Sequence, residues 1–158
     1  MKTWDQSDRK ILHLLQENSR EKLESIASET GLSVATVQRR IKSFRTSGVI
    51  ERETALISQE ASGYAMTFLI FVEMEQEKSY QLEAFRKKVK AEPQVQQCYY
   101  ITGEADFALV VLGKDVADFE LLTHRLFFED SNVKRFRTSV VLSRTKTGMT
   151  VPLECETQ

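Results

Sequence analysis

The chain has few of the residues that metal sites and disulfide frameworks require. Its 158 residues include two cysteines and two histidines, and Cys98 and Cys155 show no metal-ligand spacing. A structural zinc site needs about four clustered ligands, and disulfide frameworks belong to oxidising compartments. The sequence therefore predicts no metal and two free thiols, which are typical of a reducing cytoplasm.

Long apolar runs are also missing. The longest lie near 67–72 and 107–112, far short of the roughly 20 residues that cross a bilayer. The N-terminus lacks the apolar core of a signal peptide. We predict a cytoplasmic protein with no membrane partner.

Catalytic motifs and a large excess of charge are absent as well. The sequence contains no glycine-rich phosphate loop and no Ser-His-Asp arrangement, so we predict no enzyme and no cofactor. Apolar residues make up 41% and charged residues 28%, which indicates a globular chain of one large or two small domains. Because the formal net charge is -1, any binding to nucleic acid must come from a local basic patch.

Residues 1–50 carry the apolar period of three helices. Asp5 is suited to cap the first helix, and Gly31 is suited to end the second in a left-handed conformation. Ser33 can cap the third helix, whose apolar face includes Val37 and Ile41. The turn of about three residues before this helix is typical of a helix-turn-helix. We therefore predict that 1–50 form a helix-turn-helix DNA-binding domain.

The third helix is markedly basic, since no acidic residue occurs between Glu29 and Glu51. Recognition helices place their first residues at base edges in the major groove and their cations at phosphates. The predicted base contacts are Ser33, Thr36, Gln38 and Arg39. The other predicted DNA contacts, chiefly to phosphate, are Arg40, Lys42, Ser43 and Arg45. The alternative interpretation is an ordinary solvated helix face.

The pattern changes in the second half of the chain. Residues 51–64 are interpreted as a strand and hinge linker, because 49–57 alternates loosely enough for a short strand pair. Residues 65–158 follow the order β-α-β-β-α-β, which predicts a ferredoxin-like domain and an α+β fold.

The two central strands of that sheet are apolar on both faces. Two helices cover only one face, so the other face needs a separate cover. We predict that a second copy of the domain covers it, giving at least a homodimer. The predicted interface residues are Leu69, Phe71, Ala108 and Val110. The alternative is that the first domain folds over the sheet.

These features together resemble the Lrp/AsnC (feast/famine) transcriptional regulators. The resemblance rests on 32–33, 39–41 and 48–50 in the first half and on 103–107 and 137–141 in the second. It implies a winged helix-turn-helix followed by a RAM domain, with double-stranded DNA as partner. It also implies dimers that assemble into octamers, or in some members into other ring-like or open forms.

The resemblance further implies a small effector, usually an amino acid, bound between dimers near the turn at Gly103. Carried over by position, the effector site comprises Thr102, Gly103, Glu104, Asp106 and Thr138. Glu104 or Asp106 could accept the ligand ammonium, and the turn backbone could bind its carboxylate. The chain departs from the family pattern at Glu104, where many members have aspartate, and at Phe136, where they have a hydroxyl residue.

Two alternatives stay open for this site and this function. Gly103 could serve only to supply a positive φ angle, with Asp106 bonding the turn backbone. In that case the protein could be a ligand-independent architectural DNA-binding protein of the same fold. The sequence favours an effector-responsive regulator.

Overall fold

A computed structural model describes residues 4–153 of the chain. The chain divides into two compact units: Leu56–Thr145 form one, and the described parts of Met1–Ala55 and Lys146–Gln158 form the other. Cys155, the second predicted thiol, lies outside the described residues. No helix within 4–153 is long and apolar enough to cross a bilayer, and no cluster of three metal-ligating side chains occurs there.

The first unit contains three helices: α1 (Gln6–Glu17), α2 (Leu23–Thr30) and α3 (Val34–Thr46). Asp5 caps α1 through a reciprocal pair of bonds with Asp8, which satisfies two otherwise unpaired backbone N–H groups. Gly31 ends α2 at φ 67°, and Ser33 caps α3 by accepting a bond from the Thr36 amide. The predicted helix-turn-helix is confirmed.

Apolar side chains at helical spacing form the core of this unit. Its buried members are Ile11, Leu12, Ile26, Ala27, Val37, Ile41 and Phe44. Trp4 and Ile50 pack against them, although both are only partly buried. Burial of side chains of this size contributes about 1.5–3 kcal/mol each, which orders helices that are too short to be stable alone.

The segment after α3 differs from the prediction, because residues 49–57 form no strand in the described structure. The Ile50 amide donates to the Phe44 carbonyl at 3.1 Å, and the residues from 51 to 58 are exposed. A strand pair needs a neighbouring strand for its backbone N–H and C=O groups. The described first unit offers none, so the predicted wing is not formed.

The last described residues of the chain contact the helices of the first unit. The Gln16 side chain donates to the Val151 carbonyl at 3.0 Å and accepts from the Val151 amide at 2.7 Å. Leu153 packs against the helical core. The described residues from Lys146 onward therefore belong to the first unit, whereas the sequence pattern assigns all of 65–158 to the second domain.

The second unit follows the predicted order of elements: β1 (Met66–Met74), α4 (Ser79–Ala91), β2 (Val95–Tyr100), β3 (Phe107–Gly113), α5 (Val116–Thr123) and β4 (Val133–Val140). A π-helical turn, His124–Phe128, continues α5. The strands form one antiparallel sheet in the order β2-β3-β1-β4, with the two doubly apolar strands at its centre. This arrangement confirms the predicted ferredoxin-like domain.

Burial alternates along both central strands. Phe68, Ile70 and Val72 of β1 and Leu109 and Val111 of β3 are buried in the core of the unit. The helical residues in the same core are Leu82, Phe85, Val89, Leu122, Leu126 and Phe127. The pairing of β1 with both β3 and β4 brings the end of β1 beside the β2–β3 turn and the first half of β4.

Candidate nucleic-acid interface and ligand groove

Helix α3 has one buried side and one free side. Val37 and Ile41 are buried in the core. Gln38, Arg39 and Lys42 are exposed and have no hydrogen-bond or ion-pair partner among residues 4–153. Free cations and amides on one helix face can reach phosphates and base edges. These three side chains are therefore the predicted DNA contacts that the structure leaves available.

The start of α3 carries two further predicted contacts. Ser33 Oγ lies 2.9 Å from Thr36 Oγ1 and accepts from the Thr36 amide at 3.3 Å. Ser33 thus acts as the helix cap, while each hydroxyl keeps some hydrogen-bonding capacity. The N-terminus of a helix also attracts anions such as phosphate.

Arg40 is placed differently from the neighbouring cations. Its Nη1 atom lies 2.6 Å from Asp5 Oδ2 and 2.7 Å from Asp8 Oδ1, and its side chain is 25% exposed. Its hydrogen bond to Asp5 holds the pKa of that carboxyl below the ordinary value, and the two carboxylates raise the pKa of Arg40. The phosphate contact of Arg40 stays a prediction. In the structure its guanidinium is paired with two carboxylates, because position 40 lies one helical turn from Val37 and Phe44, at the edge of the buried face.

The last two predicted contacts lie near the end of α3. Arg45 Nη2 lies 2.8 Å from Glu53 Oε1, and both side chains are exposed. An exposed ion pair contributes little to stability, so a phosphate could replace the carboxylate. Ser43 is half-buried.

An open groove of about 730 Å³ lies in the second unit. The end of β1, the turn before β3 and the first half of β4 supply its lining: Glu73, Met74, Glu77, Gly103, Glu104, Ala105, Asp106, Lys134, Arg135 and Arg137. Charged groups of both signs surround the groove. It can therefore offer donors and acceptors to one small ligand at the same time.

Ion pairs connect the strands across this groove. Glu73 carboxylate oxygens lie 2.8 Å from Lys134 Nζ and 2.6 Å from Arg135 Nε. Hydrogen bonds from Lys134 and Arg135 lower the pKa of Glu73, and Glu73 in turn raises the pKa of Lys134. Glu104 Oε2 lies 3.1 Å from Arg137 Nη2, with 85% and 55% of these side chains exposed. This second pair is the more accessible one for a ligand.

Gly103 and Asp106 shape the turn beside the groove. Gly103 has φ 118°, a conformation that favours glycine. Asp106 Oδ2 accepts from the Met74 amide at 2.7 Å, and the Asp106 amide donates to the Val72 carbonyl at 2.9 Å. Asp106 thus ties the turn to β1, and its Oδ2 atom is already engaged.

Two predicted effector residues do not line this groove. Thr138 is paired with Ile70, so it lies on the helix-bearing face of the sheet, whereas the adjacent Arg137 faces the groove side. Thr102 precedes Gly103 but is not part of the lining. Sequence reasoning missed several charged lining residues: Glu73, Glu77, Lys134, Arg135 and Arg137. The alternation of β4 could have shown that Arg135 and Arg137 share a face of the sheet. The pairing of β4 with β1 was needed to place them at the groove.

The sheet face opposite the helices is not covered by other parts of the second unit. Leu69 and Phe71 are each 38% exposed, and they pair with the half-buried Val110 and Ala108. Tyr99, which pairs with Ala108, is also exposed. Contiguous exposed apolar surface of this kind marks an interaction site. We call these five residues the open sheet face.

Comparison with known proteins covers both units. The AsnC-type helix-turn-helix domain matches residues 5–45, and the Lrp/AsnC ligand binding domain matches residues 67–151. The chain is 37% identical over 150 residues to the HTH-type transcriptional regulator y4tD of Sinorhizobium fredii, a match that covers 95% of this chain and 89% of that protein.

Solved structures show the same similarity. A transcriptional regulator from Neisseria meningitidis in complex with L-methionine matches with a TM-score of 0.90 and 29% identity, over 96% of this chain and 97% of that one. A feast or famine regulatory protein from M. tuberculosis complexed with L-methionine matches with a TM-score of 0.84 and 25% identity, over 94% and 99%.

Proposed function

The chain belongs to the Lrp/AsnC family of DNA-binding transcriptional regulators, and from this premise we propose that it responds to an amino acid bound in the groove beside Gly103. Its relatives are regulators, so the chain is not an enzyme. The observation that carries the effector proposal is the exposed Glu104–Arg137 pair, which places a carboxylate and a guanidinium 3.1 Å apart at the groove. The methionine complexes of two similar proteins support an amino acid as the class of ligand.

The proposed ligand would bind by exchanging partners with this pair. Its ammonium would bind the Glu104 carboxylate, and its carboxylate would bind the Arg137 guanidinium, which is suited to bidentate recognition. Breaking the Glu104–Arg137 ion pair costs little free energy, because more than half of each side chain is exposed to solvent. Glu73 would keep its two cations and hold β1 beside β4.

Thermal unfolding with individual amino acids, in L and D forms, tests the effector proposal. A ligand that binds only the folded state raises the melting temperature. At least one L-amino acid should do so at millimolar concentration, and Glu104→Gln and Arg137→Gln should remove the shift. Glu83→Gln is the matched control, because Glu83 pairs with Arg86 on α4 and does not line the groove.

The same experiment distinguishes the effector-responsive function from the alternative, a ligand-independent architectural DNA-binding protein. If no amino acid changes the melting temperature while the protein still binds duplex DNA, the effector proposal fails and the architectural function is favoured. If the control variant also loses the shift, the assigned roles of Glu104 and Arg137 fail.

We also propose that the open sheet face joins two copies of the chain in a homodimer, with further assembly to octamers as the resemblance implies. Leu69→Asp or Phe71→Asp would bury a charge in that contact, so either variant should reduce the mass measured by light scattering. Leu121→Asp is the matched control, because Leu121 is an equally apolar side chain that is 62% exposed on α5. An unchanged mass in both sheet variants would contradict the proposed interface.

A further inference from the structure

Arg40 joins the middle of α3 to the start of α1. One guanidinium nitrogen, Nη1, lies within 2.7 Å of both Asp5 oxygens and of Asp8 Oδ1. Arg40, Asp5 and Asp8 together form the Arg40 clamp. Each is half-buried or exposed on the first unit, and the clamp links elements that are more than thirty positions apart in sequence.

The two carboxylates of the clamp are themselves fixed by backbone. Asp5 Oδ1 accepts from the Asp8 amide at 2.7 Å, and Asp8 Oδ2 accepts from the Asp5 amide at 3.2 Å. Both side chains are therefore held in place by the cap of α1 before Arg40 reaches them. A guanidinium bound to two such anchored groups restricts rotation of α3 about its own axis.

The charge of the clamp also argues against direct DNA contact by Arg40. Two carboxylates and one guanidinium sum to one negative charge, so an approaching phosphate would meet net repulsion. Arg39 and Lys42, which are exposed on α3 outside its buried face, carry cations that have no partner among residues 4–153. The helix thus has a paired side, which meets α1, and an unpaired side, which faces solvent.

We propose that Arg40 is a positioning residue for DNA recognition, which orients the free side of α3 through Asp5 and Asp8 and does not touch DNA. This inference rests on the family's DNA binding and is independent of the effector proposal. Loss of the clamp should let α3 rotate, so that base contacts weaken while non-specific attraction to phosphates remains.

The direction in which Asp8→Asn changes the DNA affinity distinguishes the clamp from general electrostatics. The variant removes a negative charge from the DNA-binding unit, so general electrostatics alone would strengthen binding to every duplex. The clamp instead predicts a loss on the order of tenfold at a site selected from random DNA, with non-specific affinity unchanged or higher. Glu29→Gln is the matched control, because Glu29 pairs with Lys10 at 3.2 Å on the exposed surface of the same unit.

Arg40→Met distinguishes positioning from a phosphate contact. A lost phosphate contact makes the negative slope of log affinity against log salt shallower by about 0.9, whereas a lost clamp leaves that slope unchanged. In the double variant with Asp8→Asn, the two changes should cost no more than either alone. Trp4, which packs against the core of this unit, reports by its fluorescence that each variant is folded under the binding conditions.

Either of two results overturns the proposal. One is an Asp8→Asn variant that keeps or improves its preference for the selected site. The other is an Arg40→Met variant whose negative salt slope becomes shallower by about 0.9, as expected for loss of a phosphate contact.

Discussion

Gln16 and Val151 exchange two hydrogen bonds, so that the side-chain amide of α1 pairs with the backbone of the C-terminal segment as a neighbouring strand would. The donor–acceptor distances are 3.0 Å from Gln16 Nε2 to the Val151 carbonyl and 2.7 Å from the Val151 amide to Gln16 Oε1. Together with Leu153, which packs on the helical core, this contact attaches the end of the described chain to the first unit.

Gln16→Ala should lower the stability of the first unit by about 1 kcal/mol, because it removes both bonds and leaves the Val151 backbone to water. Trp4 is the one tryptophan of the chain and packs against the core of the first unit. Its fluorescence therefore follows the denaturant unfolding of that unit specifically. Gln38→Ala is the control, because Gln38 is exposed on α3 and has no partner among residues 4–153. Equal effects of the two substitutions would show that the Val151 contact contributes nothing.

Acid should destabilise the first unit through Asp5. The Arg40 guanidinium holds the pKa of Asp5 below its ordinary value of 3.8, so the folded state favours the charged carboxylate. That stabilisation is present above the ordinary pKa and is lost as the pH falls through the lowered one. Unfolding of the wild type, followed by Trp4 fluorescence, should therefore become steadily easier below about pH 4.

Asp5→Asn separates this effect from helix capping, because asparagine caps a helix as well as aspartate does. The variant should be less stable at neutral pH and should lose less stability in acid than the wild type. Glu21, whose pKa is lowered by bonds from Ser25 and Asn18, contributes acid sensitivity equally to both proteins. Parallel pH profiles for the variant and the wild type would contradict the assigned role of Asp5.

The glycine of the β2–β3 turn gives a prediction for the second unit. Gly103→Ala should cost about 1–2 kcal/mol, because φ 118° is strained for any residue with a Cβ atom. The added Cβ would meet no atom within 4 Å, so the cost is one of backbone conformation and not of crowding. Gly148→Ala, at a glycine outside the positive-φ region, should change stability little. Far-ultraviolet circular dichroism, which reports on the helices and strands of both units, follows the thermal unfolding of both variants.

Much of the fold could be predicted because local signals agree with the long-range packing. The caps at Asp5 and Ser33, the left-handed Gly31 and the alternation of β1 all lead to the observed elements. The predicted wing is wrong for a related reason: alternation at 49–57 describes a strand only when a partner strand lies beside it. The docking of Val151 on Gln16 has no sequence signature, since it depends on chain segments 135 positions apart.

The candidate sites were predictable to different degrees. Helical periodicity alone places Arg40 beside Val37 and Phe44, so its half-buried position could have been read from the sequence. The groove is harder, because Glu73 and Arg137 come together only through the register of β1 and β4. Turn chemistry identifies Gly103, but the Met74 partner of Asp106 lies on another strand.

Arg39→Ala should weaken specific DNA binding more than non-specific binding. Arg39 is free among the described residues and lies on the solvent side of α3, where a guanidinium can bind a guanine edge in bidentate fashion. Loss of such a contact costs about 1–3 kcal/mol at the specific site, whereas a phosphate contact affects all duplexes alike. Affinities for a selected site and for unrelated duplex, measured over a range of salt, check the prediction.

Lys42→Ala provides the comparison for Arg39→Ala, because it shows the effect expected when a side chain that contacts only phosphate is removed. If Lys42 contacts only phosphate, its removal should reduce the affinity for both duplexes equally and should make the negative salt slope shallower by about 0.9. Lys10→Gln removes a cation that is already paired with Glu29, so both affinities should stay close to the wild type. If Arg39→Ala behaves like Lys42→Ala, Arg39 contacts phosphate alone, and sequence discrimination must come from Gln38 and the hydroxyls at the start of α3.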